Sequence, residues 1–369
     1  MEYQYYEFQA IDRPLNQTEQ NDVQSLSSRV RLTATQAIFT YSYGDFRGDP
    51  LSVLEKYFDA MLYMANWGSH QLAFRFPKSA VNISALEPYC VKHFIEVITI
   101  EKYVILNINI HEEEGSFWID EDNNWLSLLI PLRQSILQED YRILYLAWLQ
   151  AASHTSKKDL QEPPVPPNLQ KLNSPLQAFT QWLQIDPDLI TIAAQVSPTQ
   201  KEHQEPFKDW IKALSEQEKT ELLLEIVISD LTIASQLQSR LRQRFSQTPE
   251  PLTVCEQRRS YGHLKALAEK EHLARKAREK DAAKRERRQY LESLKPEQEK
   301  MWKTIDSLIS RKKSQSYDEA VQHLINLRDL AKLEGNAVEF QRRIQQIQTT
   351  YSKCPGLLRR IDAANLLDC

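Results

Sequence analysis

Cys255–Leu294, CEQRRSYGHLKALAEKEHLARKAREKDAAKRERRQYLESL, is the stretch whose reading decides how the rest of the chain is divided. It holds no proline, its single glycine (Gly262) lies near the start, and Ala, Leu, Glu, Lys, Arg and Gln fill most of it. These side chains lose little freedom in a helix, so one long helix is expected, about 60 Å from end to end. Apolar residues thin out along it. Leu264, Leu267 and Leu273 come early, and only Ala274, Ala277, Ala282 and Ala283 follow before Tyr290, Leu291 and Leu294. A coiled coil needs sustained heptads, and none is present. The expectation is a largely solvated charged helix docked at its two ends.

Charge is distributed unevenly. Between Glu256 and Lys295 lie 13 Lys and Arg against 7 Asp and Glu, so the segment carries +6 in a chain whose net charge is −4. Glu271 with Arg275, Arg275 with Glu279 and Asp281 with Arg285 have the spacing of supporting ion pairs, worth roughly 0.2–0.5 kcal/mol each. Lys276, Lys280, Lys284 and Arg288 break that pattern, because like charges follow one another at i+4 along one face. With Arg287 beside them they are the candidate site residues, a face for phosphate or for an acidic partner. The bland reading of the same row is an exposed helix kept soluble by charge.

Hydrophobic residues make up 41% of the 369 and charged residues 26%, which leaves ample material for cores and points to two or three domains. Cys90, Cys255, Cys354 and Cys369 are far apart and form no C-x-x-C pair, which argues against zinc ribbons and redox motifs. No cofactor and no metal are expected. The start, Met1-Glu2-Tyr3-Gln4, lacks a basic and then apolar leader, and no apolar run is long enough to span a bilayer. The expected location is the cytoplasm, with no membrane partner. Seven glycines, none spaced as G-x-G-x-x-G or as a P-loop, exclude the common nucleotide-binding motifs.

Residues 1–153 read as an α+β head. Tyr3 to Ile11 is an opening strand, Leu15–Leu26 a helix with Asn16 and Glu19 at capping-box spacing, and Leu32–Tyr43 a second strand. Asp49 and Pro50 open a helix whose stripe of Leu51, Leu54, Phe58, Met61, Leu62 and Ala65 is expected to run on to Gly68. Leu72, Phe74 and Phe76 alternate as a strand, and Val97 to Ile110 reads as a hairpin turning at Glu101-Lys102. Asn124–Ala152 is helical, in one piece or split at Pro131, with Leu128, Leu132, Ile136, Leu144 and Trp148 facing inward. Helices on one face of a sheet, in a ferredoxin-like arrangement, are the expected topology. Site candidates here have bland alternatives. Asp120–Asn124 starts like a calcium loop but has Trp125 at the turn glycine, and His111-Glu112-Glu113-Glu114 reads as a hairpin turn before it reads as a metal site. Asp12, Arg13, Asp45 and Asp49 would serve acid–base chemistry only if brought into one pocket. Tyr3, Tyr5 and Tyr6 read as core rather than as a nucleobase platform.

Residues 154–173, with Glu162-Pro163-Pro164-Val165-Pro166-Pro167, read as a stiff linker. Residues 174–250 read as a small helical module with starts at Ser174-Pro175, Asp186-Pro187 and Ser215-x-x-Glu218, and with Val196 among its inward residues. After the long helix (255–294), residues 296–369 form a helical hairpin module. Its stripes run through Met301, Ile305 and Leu308, through Ala320, Leu324 and Leu327, and through Val338, Phe340, Ile344 and Ile347, with a turn at Gly335-Asn336.

The motifs Tyr3 to Leu15 (YQYYEFQAIDRPL), Tyr43 to Pro50 (YGDFRGDP) and Ala65-Asn66-Trp67-Gly68 resemble a family of bacterial proteins of unknown function, over the full length. The segment from Trp302 through Tyr317-Asp318-Glu319-Ala320 to Ala364-Asn365-Leu366 resembles the tail of bacterial SWIM-type zinc-finger proteins, without their C-x-C and C-x-H metal ligands. The resemblance implies no activity, and it implies nucleic-acid-related partners only by company. The leading expectation is a non-enzymatic protein-interaction or scaffold protein. The second is a nucleic-acid-associated protein using Lys276, Lys280, Lys284, Arg287 and Arg288, and the third an enzyme with its site in the head.

Overall fold

The computed structural model describes residues 2–42, 44–111, 124–155, 160–200, 207–228, 241, 244, 245 and 258–367. Tyr43, Glu112 to Asn123, Cys255 and Cys369, which entered the readings above, lie outside them. The chain forms two compact units, Met1–His272 and Leu273–Cys369.

A sheet of seven strands organises the first unit: β1 (Gln4–Gln9), β2 (Arg31–Leu32), β3 (Gln36–Tyr41), β4 (Ala60–Ala65), β5 (His70–Pro77), β6 (Ile95–Ile100) and β7 (Tyr103–Ile110). Their spatial order is β2-β3-β1-β4-β5-β7-β6, and every neighbouring pair is antiparallel. A ferredoxin-like sheet is built from split β-α-β units, in which two parallel strands joined by a helix have another strand between them. Here β1 and β3, joined through the helix Gln17–Leu26, are direct antiparallel neighbours, so that finer expectation is corrected while the α+β class stands. Alternation sorts the strand residues between two cores. Tyr5, Leu62, Leu72, Phe74, Leu106 and Ile108 enter one of them. Tyr6, Phe8, Met61, Ala73 and Ile105 enter the other.

Helices cover both faces rather than one. On the second core lie α1 (Gln17–Leu26) and α2 (Pro50–Tyr57) through Val23, Val53 and Leu54. Asn16 and Glu19 complete the expected capping box, and Asp49 caps α2. A single turn, α3 (Ile83–Leu86), precedes β6. Against the first core pack α4 (Trp125–Leu129), α5 (Pro131–Leu137) and α6 (Arg142–Ser153), together with α7 (Ser174–Trp182) and α8 (Pro187–Ala194). The helices α7 and α8, read from sequence as part of a separate module, therefore share the sheet's core. Leu128 and Val196 are exposed, contrary to their expected inward placement. The cap of α7 is Asn173, not Ser174: its side chain accepts from the Leu176 N–H at 3.1 Å.

The largest departure is at Phe58-Asp59. A helix from Pro50 was expected to run to Gly68, yet α2 stops at Tyr57 and Met61, Leu62 and Ala65 lie on β4. This strand is buried on both faces, so its sequence reads as a continuous apolar run with no period of two to betray it. Asp59 breaks the run. Buried at the junction, it accepts the main-chain N–H groups of Ile11 and Asp12 at 2.7 and 2.9 Å.

Two further helices, α9 (Phe207–Ala213) and α10 (Glu216–Ile228), follow in the first unit, and Ser215 and Glu218 exchange hydrogen bonds as their capping box predicts. The long helix is continuous but begins later than the expected Cys255: α11 runs from Tyr261 to Leu294, 34 residues. Arg258 to Ser260 lie outside it, Ser260 being drawn into a β-bridge with Gln161. Its Tyr261, Leu264 and Ala268 enter the core of the first unit. From Glu269 to Tyr290 no side chain is buried, and Leu291 is buried near the end.

In the second unit, α11 is followed by α12 (Gln298–Ser310), α13 (Ser314–Glu334), α14 (Ala337–Thr350) and α15 (Pro355–Ala363). Their stripes meet as the sequence implies, with Met301, Ile305, Ala320, Leu324, Leu327, Phe340 and Ile344 in one core. Gly335 closes α13 at φ +75°, the left-handed cap that glycine adopts without strain. Val338, expected inside, is exposed, and α15 adds Leu357 and Ile361 to the core.

Candidate functional site

The head residues that would make an acid–base site are scattered among separate structural tasks. Asp12 takes a bidentate bond from Arg133 at 2.9 and 2.7 Å. Arg13 pairs with Glu19 at the surface, Asp45 accepts from Gln4 at 3.1 Å, and Asp49 caps α2. His111 lies 3.1 Å from the Ser69 hydroxyl. Tyr5 and Tyr6 are buried in the two cores, with Tyr6 stacked on Tyr63 at 4.4 Å. Among the described residues no group of three His, Cys, Asp or Glu is placed to hold a metal ion.

Two buried charge clusters escaped the sequence reading. The first joins Asp12 and Arg133 to Asp59 and Arg75. Arg75 donates to Asp59 at 2.7 Å and to the Glu55 carbonyl at the end of α2, and its guanidinium lies 4.5 Å from the Tyr103 ring. Burial raises both carboxyls; Asp12 stays raised, while the Arg75 guanidinium and the Asp12 N–H bring Asp59 below its ordinary range. A lone arginine between Phe74 and Phe76 was the available signal, since a charge amid buried aromatic positions needs a partner. The second cluster seats the start of α11. Glu162 accepts from the Tyr145 hydroxyl at 2.5 Å and from Arg259 at 2.7 and 2.6 Å. Main-chain bonds reinforce it, from Glu162 N–H to the Arg259 carbonyl and from Tyr261 N–H to the Leu160 carbonyl. Burial and then the Glu162 carboxylate push the Tyr145 hydroxyl far above its ordinary range. The Pro-rich stretch, read as a spacer, is thus bonded into the first unit: the Tyr89 hydroxyl donates to the Pro164 carbonyl and the Ser197 hydroxyl to the Pro166 carbonyl.

Both clusters are internally neutral. Exposed positive charge in a regular row lies on α11. Lys276, Lys280, Lys284 and Arg288 form the row that their i+4 spacing dictates, all exposed. Among the described residues Lys276 and Lys280 make no ion pair, and Lys284 lies 3.9 Å from Asp281. Arg288 reaches Glu292 at 2.9 Å along the same helix. Arg287 leaves the row. It donates to Asp329 of α13 at 2.8 Å and sits 5.6 Å from the Tyr290 ring, so it holds α11 against α13.

No family model, no curated protein and no solved structure matches the chain. The chemistry available to it is therefore argued from these residues. Surface lysines separated by one helical turn recognise negative charge repeated at a similar interval, and they offer no nucleophile or poised acid. No helix among the described residues is long and apolar enough to cross a membrane.

Proposed function

We propose that this chain is a non-enzymatic binding protein, a cytoplasmic scaffold that holds an acidic macromolecule against the basic row of α11. One observation carries the reading: Lys276, Lys280 and Lys284 stand exposed in line, and Lys276 and Lys280 have no acidic partner among the described residues. Three buried or half-buried carboxylates elsewhere are matched by arginines, Asp12 by Arg133, Asp59 by Arg75 and Glu162 by Arg259. An enzyme of acid–base type keeps a carboxyl or imidazole facing substrate with its proton affinity tuned to the task. Asp12, Arg13, Asp45 and Asp49, the candidates for such a role, are occupied separately. The resemblance to bacterial proteins without assigned activity fits the same reading.

The test compares the tagged full-length chain with K280E/K284E in pull-downs from bacterial lysate, each with and without nuclease. The expected result is a set of acidic partners, protein or nucleic acid, captured by the parent and lost by the variant. Identical captured sets would contradict it.

A further inference from the structure

We infer that the acidic partner is duplex DNA, held through its phosphates by Lys276, Lys280, Lys284 and Arg288; this rests on the binding reading above. Three features of the row select that partner. First, from Ala274 to Gln289 the only apolar residues of α11 are alanines. A protein partner needs aromatic or aliphatic anchors at the centre of its interface, where lysine is depleted, and a membrane surface needs an apolar helix face to bury. A protein–DNA interface needs neither, being polar and strongly positive. Second, the same stretch contains no aromatic residue. Single-stranded nucleic acids are held by stacking bases on aromatic rings, so the duplex, whose bases are already stacked, is the better match.

The third feature is the path of the row. Four cations at i+4 spacing are separated by about 6 Å and cover about 18 Å of axis, over which a DNA duplex presents about ten phosphate charges. Each step of four residues also turns by about 40°, so Lys276 and Arg288 point about 120° apart. A flat acidic surface meets only part of such a row. The major groove of B-form DNA, about 12 Å wide, accepts a helix and lines it with phosphates on two walls, whereas the major groove of duplex RNA is too narrow. No side chain of the row reads base edges with a fixed geometry except Arg288, and that one is bonded to Glu292. Binding is therefore expected to depend little on sequence.

The experiment is fluorescence anisotropy of a labelled random-sequence DNA duplex with the full chain over a range of salt. With four phosphate contacts, affinity should fall about 100-fold between roughly 50 and 200 mM salt. K280E/K284E should weaken binding at least tenfold at low salt, with helicity by circular dichroism unchanged. R278E/R285E changes net charge by the same amount but lies about 100° or more round the helix from Lys280 and Lys284, and it should retain most of the affinity. Equal losses in the two variants would overturn the inference, because net charge alone would then account for binding. Duplex RNA, poly-glutamate and anionic phospholipid vesicles are the comparison ligands, each expected to bind at least tenfold more weakly than DNA. If one of them binds as tightly as DNA or tighter, and loses affinity only in K280E/K284E, the DNA inference fails and the binding reading stands. If none of the four ligands binds at low salt, both fail.

Discussion

Replacing Glu162 with alanine tests how the start of α11 is fastened to the first unit. The change leaves the Arg259 guanidinium without the carboxylate that it meets at 2.7 and 2.6 Å, and the Tyr145 hydroxyl without its acceptor. Removing one member of a buried ion pair costs about 3–5 kcal/mol, because the remaining charge is left unpaired. Arg259 keeps its bond to the Ile192 carbonyl at 3.3 Å and some contact with water, which argues for the lower end, about 3 kcal/mol. With a urea dependence of about 3 kcal/mol per molar for a unit of this size, the midpoint should fall by about 1 M. Trp148, 6.1 Å from Tyr145, gives a fluorescence signal from within the cluster. The second unit, with the half-buried Trp302 packed against its own core, should unfold as in the parent. Arg259→Ala on its own should cost about as much, and the double variant less than the two losses added, since each deletion removes the same interaction. A midpoint shift equivalent to under about 1 kcal/mol, or a loss that is additive in the double variant, would refute the argument that this triad is a coupled buried network.

Other consequences follow from the two cores. Tyr6, Tyr89 and Tyr145 all have hydroxyls pushed well above the ordinary tyrosine range, in each case first by burial. Such a group keeps its proton in the folded state while the unfolded chain begins to lose it near pH 10, so stability is full below that pH and falls above it, by about 1.4 kcal/mol per pH unit for each tyrosine. Alkaline unfolding followed by phenolate absorbance should therefore be steep and cooperative, with these three hydroxyls ionising only as the first unit opens. In the second unit, Leu324→Ala empties a fully buried position between helices and should cost about 2–5 kcal/mol, read as a lower thermal midpoint for that unit alone.

How far the sequence could be read depended on whether a signal was local. Caps and turns were legible because one residue's chemistry fixes them: Asn16 with Glu19, Asp49 before Pro50, Ser215 with Glu218, and Gly335 at positive φ. The long helix was legible for the same reason, since propensity summed over 34 residues outweighs any single tertiary contact. Strand β4 was not, because burial on both faces erases the alternation that distinguishes a strand from a buried helix. Nor was the role of Pro163 to Pro167. Stiffness is written in the prolines, whereas the partners of the segment, Tyr89 and Ser197, lie 75 and 31 residues away from the carbonyls they reach. The i+4 spacing of Lys276, Lys280, Lys284 and Arg288 was legible, but the separation of Arg287 from them depends on Asp329, which only the fold brings near.

The most direct test of the account is lysine footprinting by acetylation and mass spectrometry, with and without a DNA duplex at low salt. Without DNA, Lys276, Lys280 and Lys284 should react as fast as other exposed lysines such as Lys300 and Lys303. With DNA, the account predicts protection concentrated at Lys276, Lys280 and Lys284 and little change at Lys300 and Lys303. Protection spread evenly over all five, or none at the row while DNA is bound, would contradict it.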